Sequence, residues 1–209
     1  MTNKDKIEIT LDFINELFPN AKCELVFHKD YELVIAVMLS AQTTDKSVNK
    51  VTEILFSKYD TLEKLKDAPI EDIENIIRPI GLTKAKSKHV KEISNEIYNR
   101  GGYIPNDENY LLSLPGVGVK TKNVVLAELY QAPFIAVDTH VERVSKRLGF
   151  ANQKDSPIEV EFKLEKLIDK SKRVKAHHQF IHFGRYFCLA KKPHCEACKL
   201  KSFCKDYLK

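Results

Sequence analysis

Apolar residues recur at helical spacing along almost the whole chain. Stripes of this kind are Ile7, Leu11, Ile14 and Leu17/Phe18; Val48, Val51 and Ile54/Leu55; Ile73 and Ile76/Ile77; Val90, Ile93 and Ile97; and Val137, Val141, Val144 and Leu148. Intervals of three and four residues place the apolar side chains on one face of a helix. Sustained two-residue alternation, which is typical of strands, is hard to find. The pattern therefore predicts an all-α protein of about ten short helices.

Glycine and proline indicate where these helices begin and end. Ser156-Pro157 predicts an N-cap followed by proline at the first helical position. Residues 107–114 and 119–129 predict two helices joined by the turn Pro115-Gly116-Val117-Gly118. Local signals predict one domain boundary, near Pro133, ahead of a basic segment that contains most of the cysteines.

Composition and charge narrow the class of protein. A chain of 209 residues with 43% hydrophobic and 30% charged residues has ordinary globular composition. The net charge of +5 lies in residues 184–209, where seven basic residues face two acidic ones. A basic tail indicates a polyanion partner or a merely solvated surface. The longest apolar run, residues 33–39, is too short to cross a membrane, so we expect a soluble cytoplasmic protein without a membrane partner.

Four of the five cysteines lie close together near the C-terminus. Cys188, Cys195, Cys198 and Cys204 are separated by six, two and five residues, whereas Cys23 stands alone and is expected to be a buried thiol. In a reducing compartment, such a cluster indicates metal ligands rather than disulfides. Coordination chemistry leaves zinc and an iron–sulfur centre open.

The turn between the two short helices is the second candidate site. Gly116 and Gly118 let the backbone approach a ligand, and the N-terminus of the following helix favours a phosphate; an ordinary αα-corner is the alternative. Lys120 in the first turn of that helix is either solvated or, when uncharged, a nucleophile for a carbonyl carbon. Asp138, at the start of a later helix, is either an N-cap or a carboxylate that takes up a proton.

Five segments together resemble one known family. Leu114–Lys120 followed by Thr121, Val137–His140, and the cysteine spacing are similar to the endonuclease III family. Leu39–Asp45 and His182–Tyr186 are similar to it as well. These enzymes are bifunctional DNA glycosylases and AP lyases of the helix-hairpin-helix (HhH-GPD) superfamily. The resemblance covers essentially the whole chain in order.

The resemblance implies two α-helical lobes that flank a DNA-binding cleft. Residues 22–132 would form a six-helix lobe with the helix-hairpin-helix at about 107–130. Residues 1–21 and 133–209 would form the second lobe around a 4Fe–4S cluster held by the four clustered cysteines, with zinc as the alternative metal. The implied partner is damaged double-stranded DNA, bound by a monomer that is associated with the nucleoid if the source is prokaryotic.

The implied reaction is the removal of an oxidised pyrimidine that is turned out of the duplex. Lys120 attacks C1′ of the deoxyribose, displaces the base and forms a Schiff base, and β-elimination then breaks the strand 3′ to the lesion. Asp138 matches the carboxylate that assists the amine and the sugar cation.

The resemblance also implies the residues that hold the DNA. Gln42 would fill the gap left by the flipped nucleotide, Gly116 and Gly118 would hold a phosphate, and Lys191 and Lys192 would meet the DNA backbone.

Two other functions remain open from the sequence. One is a monofunctional mismatch glycosylase of the same superfamily, although such enzymes typically lack a lysine at the position of Lys120. The other is a non-enzymatic iron–sulfur DNA-binding module, for which nothing requires Lys120 together with Asp138.

Overall fold

The computed structural model describes residues 1–208, and this part of the chain is all-helical. Its α-helices are α1 (Asn3–Leu17), α2 (Asp30–Leu39), α3 (Asp45–Lys58), α4 (Leu62–Asp67), α5 (Ile70–Ile77), α6 (Thr83–Asn99), α7 (Glu108–Ser113), α8 (Val119–Tyr130), α9 (Thr139–Leu148), α10 (Pro157–Leu167) and α11 (Arg173–Tyr186). Short 3-10 turns lie at Arg78–Ile80, Lys170–Lys172 and Cys195–Ala197. With no strand among residues 1–208, the predicted all-α class is confirmed.

The helices divide into two compact units. We call Cys23–Tyr130 the hairpin unit, which contains α2 to α8. We call Met1–Lys22 together with Gln131–Lys209 the cysteine unit, which contains α1 and α9 to α11.

Helix α2 is the centre of the hairpin unit. Every residue from Tyr31 to Leu39 is buried, and the helix contacts α3, α6 and α8. A helix that is apolar on all sides must be covered on all sides, which explains the apolar run at residues 33–39. The stripe of Val90, Ile93 and Ile97 on α6 is fully buried, as its spacing predicted.

Helix α1 closes the core of the cysteine unit. Ile7, Leu11 and Ile14 are buried in one cluster with apolar side chains of α9, α10 and α11. Of the two residues predicted to end the stripe, Phe18 packs against this cluster, whereas Leu17 is 36% exposed.

Local capping positions the helices of this unit. The Ser156 hydroxyl accepts from the backbone of Glu159, whose carboxylate accepts from the backbone of Ser156, and Pro157 is the first helical residue. This capping box confirms the predicted start of α10. At the end of α9, Gly149 takes a left-handed conformation (φ +83°), as glycine commonly does after a helix.

Within residues 1–208, no helix combines the length and apolar character required to cross a membrane.

Candidate functional site

Buried apolar side chains and a helix cap hold the turn between α7 and α8. Asp107 caps α7 by accepting from the amides of Asn109 and Tyr110. Leu114 and Val117 are buried, and the Val117 amide donates to the Leu114 carbonyl at 3.1 Å. These contacts fix a tight turn between two short helices, in agreement with the predicted hairpin.

The two glycines of this turn have different physical requirements. Gly116 has φ +74°, and a Cβ placed on it would lie 2.5 Å from Nδ1 of His89. It is therefore required both by its left-handed backbone and by the close approach of the His89 ring. Gly118 meets nothing within 4 Å, so the space in front of its Cα is open. Its carbonyl accepts from the Lys122 amide at 2.9 Å, which makes it the residue preceding the first turn of α8.

Two lysines in the first turns of α8 have opposite environments. Lys120 is exposed. Lys122 is buried, and its ammonium lies 2.7 Å from the carboxylate of Glu108 on α7. Lys122 therefore braces the hairpin, whereas the Lys120 amine is available to a ligand in solution. The Lys122–Glu108 ion pair was missed by sequence reasoning, because no local spacing connects residues on different helices.

Asp138 is the N-cap of α9, which confirms the first of its two predicted roles. Its Oδ1 accepts from the amides of His140 at 2.9 Å and Val141 at 2.8 Å. Both bonds use the same oxygen, so Oδ2 is not used in the cap. The half-buried carboxylate is thus fixed in orientation by the helix it caps.

Gly184 has a packing role in the segment His182–Tyr186, one of the five segments that resemble the family. A Cβ on Gly184 would lie 2.9 Å from the Cβ of His140. Glycine here lets α11 pack directly against the start of α9, next to the Asp138 cap. Burial is the main cause that lowers the pKa of His140.

The four clustered cysteines share one cavity. Cys188, Cys195, Cys198 and Cys204 line a space of about 240 Å³ in the cysteine unit. Burial raises the pKa of the Cys188 and Cys198 thiols. Among residues 1–208, no group of three His, Cys, Asp or Glu side chains lies close enough to hold a single metal ion. The thiols line the wall of the cavity, a donor set that fits a multinuclear centre bound by thiolates.

Two arginines of α9 hold the segment that begins this cavity. Arg147 donates to Sγ of Cys188 at 3.5 Å and to the carbonyl of Leu189 at 2.7 Å. Arg143 donates to the carbonyls of Gly184 at 2.7 Å and Cys188 at 3.2 Å.

The fifth cysteine, Cys23, lies in the hairpin unit. The prediction that its thiol is buried is wrong, because Cys23 is half-buried.

The remaining candidate contacts lie on exposed loops. Gln42 is exposed in the turn between α2 and α3, with a left-handed φ of +58°. Lys191 and Lys192 are exposed between the first two clustered cysteines, and Lys192 has φ +52°. Left-handed backbone at a residue other than glycine is uncommon and marks positions that the surrounding structure determines.

Comparison with known proteins defines the class to which this fold and these residues belong. Residues 35–170 match the HhH-GPD superfamily of base excision DNA repair proteins. The chain is 47% identical over 207 residues to endonuclease III of Bacillus subtilis strain 168. The aligned residues cover 99% of this chain and 94% of that protein.

Two solved structures match closely. The structure of a non-covalent endonuclease III–DNA complex has a TM-score of 0.94 at 46% identity, covering 100% of this chain and 98% of that one. A trapped endonuclease III–DNA covalent intermediate, an estranged-adenine complex, matches with the same TM-score and identity. The chain belongs to the endonuclease III family of the HhH-GPD superfamily.

Proposed function

We propose that this protein is a DNA glycosylase and AP lyase of base excision repair. It removes oxidised pyrimidines from duplex DNA and cleaves the strand 3′ to the resulting abasic site. The observation that carries the proposal is the contrast between two lysines of α8. Lys122 is occupied by Glu108, whereas Lys120 is exposed immediately after a turn that contains two glycines.

In the proposed reaction, the uncharged Lys120 amine attacks C1′ of the deoxyribose. The glycosidic bond breaks, and its electron pair leaves on the base, which takes up a proton. The amine loses its first proton after the attack. The C1′–O4′ bond then breaks, its electron pair leaves on O4′, which takes up a proton, and loss of the second amine proton gives a Schiff base between Nζ and C1′. Removal of a C2′ proton then breaks the C3′–O bond, and the 3′ phosphate leaves with the electron pair. Water hydrolyses the imine and regenerates the amine.

Asp138 is the proposed proton acceptor and cation stabiliser in this reaction. Its Oδ1 is held by the two amides at the start of α9, so the carboxylate is oriented before DNA binds. Oδ2 lies outside the cap and can take up the proton that the amine releases. A fixed carboxylate also stabilises the positive charge that develops on the sugar as the base leaves.

Binding of the damaged duplex is assigned to residues of both units. Gly116 and Gly118 bring backbone close to a phosphate, and the open space in front of Gly118 leaves room for one. The exposed Lys191 and Lys192 contact the DNA backbone, and Gln42 fills the gap left by the flipped nucleotide. Contacts of this kind position a duplex without reading its sequence, which suits a repair enzyme.

We assign the four cysteines to a 4Fe–4S cluster, with zinc as the alternative metal. The shared cavity and the hydrogen bond from Arg147 to Cys188 support a thiolate-bound centre. When bound, the cluster supplies metal–thiolate bonds that tie the ends of residues 188–204 together. Those bonds hold the loop that carries Lys191 and Lys192. Iron, sulfide and zinc analysis of purified protein distinguishes the two metals.

The two compact units are the proposed lobes of the enzyme. The hairpin unit provides the nucleophile and the glycine turn, and the cysteine unit provides Asp138 and the metal centre. Their bounds, Cys23–Tyr130 and Met1–Lys22 with Gln131–Lys209, lie within two residues of the lobes that the family resemblance implies.

Borohydride trapping on abasic-site DNA tests the proposal, because borohydride reduces a Schiff base to a stable amine. We expect a covalent adduct with the wild type and none with Lys120→Ala. Lys64→Ala is the matched control, since Lys64 is also an exposed lysine of the hairpin unit, where it pairs with Asp60. Absence of an adduct with the wild type, or an undiminished adduct with Lys120→Ala, would exclude Lys120 as the nucleophile.

A duplex that contains thymine glycol separates the remaining functions. Strand scission after base release supports the lyase, whereas base release alone indicates a monofunctional glycosylase. Equal binding of damaged and undamaged duplex without turnover indicates a DNA-binding module.

A further inference from the structure

Helix α6 contains a buried lysine that the proposed reaction does not use. Lys86 is 4% exposed, and its Nζ donates to the carbonyl of Ala41 at 3.0 Å and to that of Ile80 at 3.2 Å. Its hydrogen-bond partners within residues 1–208 are these two main-chain oxygens. Burial lowers the pKa of Lys86, which shows that the ammonium is held at an electrostatic cost.

The two carbonyls belong to two separate turns, and Ile80 itself is buried. Ala41 immediately precedes Gln42 in the turn between α2 and α3. Ile80 ends a 3-10 turn and precedes Gly81 and Leu82, which have φ values of +68° and +52°. The Lys86 side chain therefore connects two turns that both have left-handed backbone and lie far apart in sequence.

Packing alone does not require a charge at this position. A methionine has similar length and fills an apolar site without the cost of burying an ammonium. The ammonium, however, has donors to spare and can satisfy two carbonyls at once, which methionine cannot do. Left-handed conformations such as that of Gln42 persist only where neighbouring groups determine them.

We propose that Lys86 is a positioning residue for DNA repair, which ties the Gln42 turn to the Ile80 turn and thereby presents Gln42 to DNA in one conformation. The proposal rests on the proposed function, in which Gln42 fills the gap left by the flipped nucleotide. Lys86 touches neither the sugar nor the base in this role and acts only through the turn.

A double-mutant cycle between Lys86→Met and Gln42→Ala tests this role. Each single variant is expected to slow single-turnover base excision on a thymine-glycol duplex by about tenfold, because misplacement of a positioning group by about 1 Å is costly. If Lys86 acts through Gln42, the double variant is no slower than Gln42→Ala. A double variant that is slower by about the product of both effects, roughly a hundredfold, would overturn the proposal.

Lys91→Met is the matched control. Lys91 lies on the same helix and also donates to a carbonyl, that of Ala68 at 2.5 Å, which is at the end of α4. We expect the effects of Lys91→Met and Gln42→Ala on the excision rate to be additive, since Lys91→Met removes a similar hydrogen bond that does not involve the Gln42 turn. Coupling as strong as that of Lys86 would mean that general loosening of α6, and not the tie to the Gln42 turn, causes the effect.

Amide hydrogen exchange gives a readout that does not depend on activity. The amides of Ala41 and Thr43 donate to the carbonyls of Met38 and Ser40. We expect both to exchange about tenfold faster in Lys86→Met than in the wild type or Lys91→Met, because the turn opens locally once its tie is lost. Unchanged exchange would refute the tie.

The two readouts separate the failure of the further inference from that of the proposed function. A wild type without excision activity on the lesion duplex refutes the function, and amide exchange still decides whether Lys86 holds the turn. An active wild type with additive variants refutes the positioning role alone. If Lys86→Met does not fold, Lys86→Gln takes its place in the same cycle, since its shorter neutral side chain cannot reach both carbonyls.

Discussion

Replacing Gly116 with alanine perturbs the glycine turn in two ways that can be separated. The backbone of Gly116 has φ +74°, so a Cβ makes that conformation unfavourable whatever surrounds it. The same Cβ would lie 2.5 Å from Nδ1 of His89, which is closer than real Cβ atoms approach a neighbour, and 3.1 Å from Cε1 of the same ring. The first effect belongs to the backbone, and the second belongs to a neighbouring side chain that can be changed.

The two contributions have similar magnitudes. A left-handed conformation costs an ordinary residue about 1–2 kcal/mol, and overpacking against the half-buried His89 ring costs about 1–3 kcal/mol. We therefore expect Gly116→Ala to lower the free energy of unfolding by about 3 kcal/mol. For a chain of this size, each kcal/mol lowers Tm by about 2–4 °C, so the expected loss is about 6–12 °C.

Thermal unfolding followed by circular dichroism measures this loss, and two further variants assign its parts. Gly118→Ala is the matched control, because its Cβ meets nothing within 4 Å and the backbone there is not left-handed. It should change Tm by less than about 2 °C. In the background of His89→Ala, Gly116→Ala should cost only the backbone part, because the clash is gone. A Tm for Gly116→Ala that equals that of Gly118→Ala would refute the reasoning.

Three further predictions concern chemistry, pH and salt. Asp138→Asn should keep the cap of α9 and change the free energy of unfolding by less than about 1 kcal/mol, because asparagine caps as well as aspartate. Turnover on lesion DNA should fall by about 10²-fold or more, since the proposed proton acceptor is lost, and equal turnover would exclude the proposed role. Burial lowers the pKa of Lys86 in the folded protein below its ordinary 10.5. At a pH between the lowered pKa of the folded state and the ordinary pKa of the unfolded state, the unfolded chain holds a proton that the folded chain has released. Wild-type stability relative to Lys86→Met should therefore rise with pH through that window in denaturant titrations, and a falling difference would contradict the burial effect. Removing both Lys191 and Lys192 should reduce the slope of log affinity against log salt by about two, as expected for two lost phosphate contacts, whereas an unchanged slope would place these side chains away from the DNA.

Predictions that depend on neighbours within one helical turn agree with the structure. Asp107, Asp138 and Ser156 each cap a helix where the sequence placed a helix start. The stripe of Val90, Ile93 and Ile97 is buried for the same reason, since helical spacing alone puts these residues on one face. Capping and periodicity involve residues close in sequence, so the sequence contains all the information they need.

The resemblance to a family provided what local patterns could not. No local signal joins residues 1–22 to residues 131–209, although they form one compact unit. The same holds for the cavity shared by the four cysteines, whose spacing indicated metal ligands without indicating what surrounds them. Arg147, which donates to Cys188, was not a candidate at all.

The amino-acid sequence by itself determined the helices, their caps and the residue types available for catalysis and metal binding, because these depend on short-range geometry and side-chain chemistry. Only the tertiary structure decided which of two nearby lysines is paired with Glu108 and which is exposed. It also decided that Gly116 faces His89 and that Lys86 reaches Ala41, 45 positions earlier in the chain. Such contacts depend on the path of the whole chain, since residues far apart in sequence meet only after the helices have packed.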